Sequence, residues 1–504
     1  MTTKLSFSEA LADPAQLSIS WELIPGRGAR EKAQEHLVRM AELAAKDSRI
    51  NAVTITDNPG GKSAILAYAM AVEAKRMGID PLVHFTSKDK NRNALESELY
   101  ALDRADIRNL LVMTGDYPTI GYAGSAKPVF DFDAVHALRM ITKMNEGAYT
   151  KLPATNFFAG AVVSPFKAAE AEVMAQYYKL HKKVANGAKF IITQLGYDAR
   201  KFDELRKYVD RNNLNVPLIG NIFVLSLPVA KLMNKNLIPG CVVTDELVAK
   251  LEAEQTIAAN KKEQQLLQAA KLYAVLKGLQ YNGINIGGHG LDYTDVQYIM
   301  EKGEELSVNW QDIAAADFDY PQSGGFYFFE KDSATGLNTC QPVDRSQTGS
   351  ASSSLKLSLM DMVHKVAFDH KAPFYSTNKA IAKFIDNSWL KQPFTAAEYT
   401  TKTMTNECRF CGDCAMHELG FICPMSQCPK QQRNGACGGS HDGWCEVYPG
   451  KRKCIYVKMY EGFKGRGKEE GMKDKYMPPC NWELQRTSSW LNYFNDRDYN
   501  NNKD

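Results

Sequence analysis

The sequence predicts an α/β protein: a (β/α)8 barrel, then a connector, then a small cysteine-rich metal-binding domain. Two observations carry this. Up to about residue 300, short apolar runs alternate with longer amphipathic stretches, which implies parallel strands joined by helical crossovers. Eight of the eleven cysteines then crowd between Cys408 and Cys454. At 504 residues there is room for two or three domains, read here as 1–300, 301–405 and 406–504.

The apolar runs are SISWEL (18–23), NAVTIT (51–56), PLVHF (81–85), LLVMTG (110–115), FFAGAVV (157–163), KFIITQ (189–194), PLIGNIFVL (217–225) and GINIGGH (283–289). Segments with helical spacing separate them, among them 30–46, 171–187 and 260–278. Eight such units fit a closed barrel better than an open sheet, and no GxGxxG follows the first run. PGGKS (59–63) is not a phosphate loop, because Thr56 stands where that motif needs glycine. Residues 301–405 read as hairpin and loop, followed by two helical patterns at 355–368 and 378–390. The last forty residues are polar and charged.

Lys plus Arg number 61 against Asp plus Glu 58, so no basic surface for nucleic acid or membrane is expected. No run is long enough to span a bilayer, and the N-terminus lacks a secretory signal, so a cytoplasmic protein is expected. In a reducing compartment clustered cysteines are metal ligands rather than disulfides.

In a parallel barrel the C-terminal strand ends form the active site. Those ends carry Glu22, Thr54 with Thr56, His84 with Thr86, Asp116, Ser164, Gln194, Phe223 with Ser226, and His289. Polar groups converging on one face make sense around a ligand.

SWELIPGRG, AVTITD, VHFTSKD, LLVMTGDYP and KKVANGAKFIITQLGYD resemble, in order and spacing, the methylenetetrahydrofolate reductase family. The resemblance covers roughly residues 15–300 and implies FAD-dependent interconversion of 5,10-methylenetetrahydrofolate and 5-methyltetrahydrofolate. It casts Glu22 as catalytic acid toward N10 of the folate. Asp116 faces both flavin and pterin, and Gln194 binds the pterin edge, with His289 as a further substrate contact. Thr54, His84, Thr114, Gly115, Asp116, Phe130 and Lys183 are implied flavin contacts, though Lys182 and Lys183 read equally well as a solvated helix face. The chain departs from the family in having Thr114 where an arginine is common. It lacks a second proline after Glu22, and it has GGHGLDY near strand eight in place of a tyrosine and arginine that hold folate. Tetrahydrofolate as substrate, a homo-oligomer, and NAD(P)H, ferredoxin or a redox protein as electron donor are the expected partners.

Cys408, Cys411, Cys414, Cys423, Cys428, Cys437, Cys445 and Cys454 suffice for two four-cysteine sites. The C-x2-C-x2-C start and the Cys-Pro pair suit 4Fe–4S clusters, one cluster plus zinc, or zinc alone. This segment resembles the cysteine-rich module fused to, or partnered with, some bacterial members of the same family, which implies electron relay to the barrel. The rival readings are a folate-dependent methyltransferase or demethylase component without flavin, and a non-catalytic electron-transfer or scaffold subunit.

Overall fold

The computed structural model describes residues 4–148, 151–257, 260–348 and 355–501. Eight parallel strands close into a barrel: β1 (Ser18–Leu23), β2 (Ile50–Ile55), β3 (Asp80–Thr86), β4 (Asn109–Met113), β5 (Phe158–Val163), β6 (Ile191–Thr193), β7 (Leu218–Val224) and β8 (Gly283–Gly288). Each is hydrogen-bonded to its neighbours in chain order, and β8 pairs with β1 to complete the circle. Buried on both faces, these strands are written as near-continuous apolar runs. Each expected run therefore coincides with a strand to within a few residues at either end.

Alternation along the strands sorts the core into two layers. Outward side chains such as Trp21, Val53, Phe85 and Val112 pack under the helices. Inward ones, Ala52, Leu82, Leu111, Ile192 and Ile219, fill the lower barrel. A first helix, α1 (Phe7–Ala12), plugs that end: Phe7 packs edge-on against Phe190 at 5.3 Å and Phe158 at 6.2 Å. The middle of the barrel is polar. Ser20 Oγ donates to Asn285 Oδ1 (2.8 Å), Thr54 Oγ1 donates to the same oxygen (3.3 Å), and Asn285 Nδ2 donates to Asn221 Oδ1 (3.1 Å). The base is therefore sealed, and only the C-terminal mouth is left for chemistry.

After the barrel, a hairpin of β9 (Phe329–Lys331) and β10 (Asn338–Pro342) lies on the barrel helix at Ala199–Arg211, where Arg200 Nε donates to Asn338 Oδ1 at 2.8 Å. Three helices, Leu355–Ala367, Tyr375–Asp386 and Lys391–Asn406, lead into the cysteine-rich segment. That segment is mostly turns and loops, as a short chain built around cysteines should be. Its longest helix, Ile455–Lys464, packs on the barrel helix Glu170–Ala185, with Lys464 Nζ 2.7 Å from the buried Glu170 carboxylate. The cysteine-rich module thus sits on the barrel rim, over the loops that follow β4 and β5. Among the described residues no helix is long and apolar enough to cross a membrane.

Candidate functional site

Glu22 tops the inward row of β1 and lies against Gly287 of β8, whose missing side chain leaves the carboxylate room. It is open to the mouth on one side. Even so, burial among barrel atoms, with no cation beside it, pushes its carboxyl up to about 7. Asp116 reaches the same rim by a turn. Gly115 has φ +84°, and a Cβ there would stand 2.8 Å from Lys88 Cδ, so glycine is required. The Asp116 carboxylate accepts from Gly60 N at 2.8 Å. PGG, dismissed as a phosphate loop, is thus the clasp that holds Asp116. Gly61 presses so closely on the Tyr117 carbonyl that a Cβ would fall 2.1 Å from it.

Gln194 ends β6, its Oε1 accepting from Leu195 N at 2.9 Å and its Nε2 turned toward Gly240. The next residue, Cys241, is buried and within electrostatic reach of both Asp116 and Glu22. Burial, reinforced by those two carboxylates, pushes its thiol up to about 12. Through this loop the structure brings Glu22, Asp116 and Gln194 to one mouth.

Around that mouth several buried polar atoms lack hydrogen-bond partners among the described residues: Thr56 Oγ1 after β2, His84 Nε2 on β3 and Ser164 Oγ after β5. Burial outweighs the field of Asp57 and lowers His84 to about 4, so it stands neutral at physiological pH. Orphaned buried polar atoms are rare and point to a missing partner. Thr54 is fully buried, its hydroxyl donating to Asn285 one layer below the mouth at 3.3 Å. His289 is exposed, edge-on to Phe223 at 5.7 Å, and the buried Phe130 stacks on Tyr117 at 6.1 Å.

The helix Glu170–Ala185 corrects one reading. Lys182 and Lys183 are not a solvated face: they are only 7% and 5% exposed, and Lys179 one turn earlier is 2% exposed. The Lys183 ammonium donates to the Val162 carbonyl, and burial lowers it to about 7. Lys179 Nζ donates to Gln432 Oε1 (2.9 Å) and Gly435 O (3.1 Å) of the module. Thr114 Oγ1 donates to the same Gln432 oxygen at 3.0 Å, and Lys430 Nζ donates to Gly115 O at 2.8 Å while pairing with Glu446. Asp133 accepts from Arg433 N and Asn434 N at 3.2 and 2.8 Å. Burial alone would raise Asp133, but His136, Lys179 and these N–H groups hold it well below the usual carboxylate range. Segment 430–440 therefore covers the Lys183 side of the mouth. The residues fit a planar ring set against Thr56, His84 and Ser164. They do not fit phosphates laid along the lysine helix.

The cysteines fall into two groups. Cys408, Cys411, Cys414 and Cys423 line one cavity together with Lys402 and Glu398. Cys428 lies within electrostatic reach of Cys437, Cys445 and Cys454, with Cys428 and Cys437 beside Lys179 and Cys437 also beside Lys430. Cys480, which the sequence leaves scattered, is buried and packs in one cluster with Cys411. Burial pushes the Cys408 thiol up to about 11 and that of Cys428 to about 12, so each stays protonated until a cation displaces the proton. Among the described residues no three Cys, His, Asp or Glu side chains are drawn together tightly enough to hold a single metal ion.

A family model described as methylenetetrahydrofolate reductase matches residues 7–286, more than half of the chain. The chain belongs to the methylenetetrahydrofolate reductase family. A second model, methylene-tetrahydrofolate reductase C terminal, matches residues 388–483, which take in all eight clustered cysteines and Cys480. Methylenetetrahydrofolate reductase 2 of Schizosaccharomyces pombe is 24% identical over 200 residues, covering 38% of this chain but only 31% of its own. Among solved structures, an uncharacterized Clostridium thermocellum protein that binds two copies of 5-methyl-5,6,7,8-tetrahydrofolic acid aligns at TM-score 0.42 and 13% identity, over 60% of this chain and 99% of its own. A Yersinia pestis DHPS with a pterine-sulfa conjugate aligns at TM-score 0.33 and 12% identity, over 58% and 96%.

Proposed function

We propose that this reductase interconverts 5,10-methylenetetrahydrofolate and 5-methyltetrahydrofolate at the barrel mouth, with Glu22 as the proton donor. The observation that carries the reading is a carboxyl lifted to about 7 by burial, at the same rim as Asp116 and Gln194. A carboxyl of ordinary acidity would be ionised at neutral pH, whereas this one still holds a proton to give. Delivered to N10, the proton opens the five-membered ring of the substrate to a 5-iminium cation. The Asp116 carboxylate, fixed by Gly60 N, stabilises that positive charge. The Gln194 amide offers both a donor and an acceptor to the pterin edge. A flavin ring against Thr56, His84 and Ser164 would supply the hydride to the methylene carbon. Neutral His84, whose buried Nε2 is unpartnered among the described residues, would meet such a ring without adding charge.

The two cysteine groups are proposed to hold iron–sulfur centres that relay electrons from a donor toward the mouth. The buried ammonium groups of Lys402, Lys179 and Lys430 would offset their negative charge. The test is anaerobic purification followed by iron, zinc and flavin analysis, then addition of 5-methyltetrahydrofolate. Flavin that co-purifies and bleaches on addition of the folate is the expected result. A protein that binds no flavin would end the flavin reading, and zinc without iron would end the relay.

A further inference from the structure

If segment 430–440 covers the lysine helix, a dinucleotide at this mouth needs another place for its phosphates. The structure offers one. Between the loop after β4 and the cysteine-rich module lies a cleft of about 670 Å³, within the range of small-molecule sites of roughly 300–1,000 Å³. It opens at Tyr117, the residue after Asp116, so it is continuous in sequence with the mouth. Its barrel wall is the Tyr117–Phe130 stack, with rings 22° from parallel. Its module wall presents the exposed ring of Tyr448, and the lining includes Ser426, whose buried Oγ has no hydrogen-bond partner among the described residues.

The charges favour an anion. Lys127, Arg409 and Lys451 all line the cleft, are exposed, and make no ion pair among the described residues. The one carboxylate of the lining, Glu407, is already paired with Arg452 at 3.1 Å. Aromatic faces beside unpaired cations and an unfilled hydroxyl suit a planar base carrying phosphates.

We propose that this cleft binds the adenosine diphosphate moiety of a dinucleotide, with the base against the Tyr117 and Tyr448 rings and the diphosphate on Arg409 and Lys451. The inference rests on the redox reading of the mouth. Its ligand is either the far half of the flavin dinucleotide or that of a nicotinamide donor. Both carry the same ADP group. Most of the lining comes from the module and the rest from the loop after β4, so barrel and module are both needed to form the site.

The probe is ADP itself, titrated calorimetrically into the full-length protein. Saturable binding is expected, weakened about tenfold or more in Arg409→Ala/Lys451→Ala and again in Tyr448→Ala. These side chains are exposed, so an unchanged melting temperature checks that the fold survives. Triglutamate serves as the control for a bare anion patch and should bind far more weakly than ADP. If the variants lose FAD but keep FMN, the ligand is the flavin's own tail. If they keep flavin but need about tenfold more NAD(P)H to reduce it, the ligand is the donor. Absence of ADP binding, undiminished binding in the variants, or triglutamate binding as tight as ADP would each overturn the assignment. ADP binding in a protein that fails to turn over folate would sink the proposed reaction and leave the cleft standing.

Discussion

Glu22 and Gly115 show what single residues contribute here. With a carboxyl near 7, Glu22 is protonated below neutrality and ionised above it. Reduction of the methylene substrate, which needs the proton, should therefore fall about tenfold per pH unit above pH 7. Oxidation of the methyl substrate, which needs the carboxylate, should fall as the pH drops below 7. A kcat/KM profile flat across pH 6–8 in both directions would contradict this. Gly115→Ala puts a Cβ into Lys88 at a φ of +84°, a strain of about 1–3 kcal/mol that also moves Asp116. Its expected signature is a lowered melting temperature together with weakened folate binding. The sequence shows why these positions are special, since Thr-Gly-Asp after an apolar run marks a strand surfacing. It does not show that Thr54 lies one layer too deep. The two-residue period tells inside from outside but not height within the barrel.

The elements that matter most are the helix Glu170–Ala185 and segment 430–440. Lysines on a helix read as solvent-facing, so nothing in their spacing announces that three of them are roofed over by another domain. What holds that roof is Lys430, on the Gly115 carbonyl and the Glu446 carboxylate, and Gln432, between Lys179 and Thr114. These contacts follow no periodic pattern, and several end on backbone carbonyls, so the docking was not legible. The strands were legible for the opposite reason, because a buried parallel strand is apolar along its whole length. Lys430→Met should cost about 3–5 kcal/mol, since it leaves Glu446 buried without its cation. Urea unfolding measures that loss, and a change within error would show that the pair is peripheral.

At the scale of the whole molecule, barrel and module share one interior. Asp133, Gln432, Lys179 and the Tyr460–Glu170 contact are buried only because both parts are present. One cooperative calorimetric transition is therefore expected for the intact chain, whereas two well-separated transitions would mean the domains are merely tethered. The grouping of the cysteines follows the same logic. Their number and spacing suggested two sites, but only the fold shows that Cys428 and Cys437 lie next to the lysine helix and that Cys480 returns to lie beside Cys411.

The most direct measurement is a single anaerobic turnover. Wild-type protein and Glu22→Gln, both loaded with flavin and reduced with stoichiometric dithionite, are mixed with 5,10-methylenetetrahydrofolate while flavin absorbance is followed. Wild type should regain its flavin absorbance, and the variant should not, although dithionite bleaches both. Equal reoxidation rates in the two proteins would remove the buried carboxyl from the chemistry.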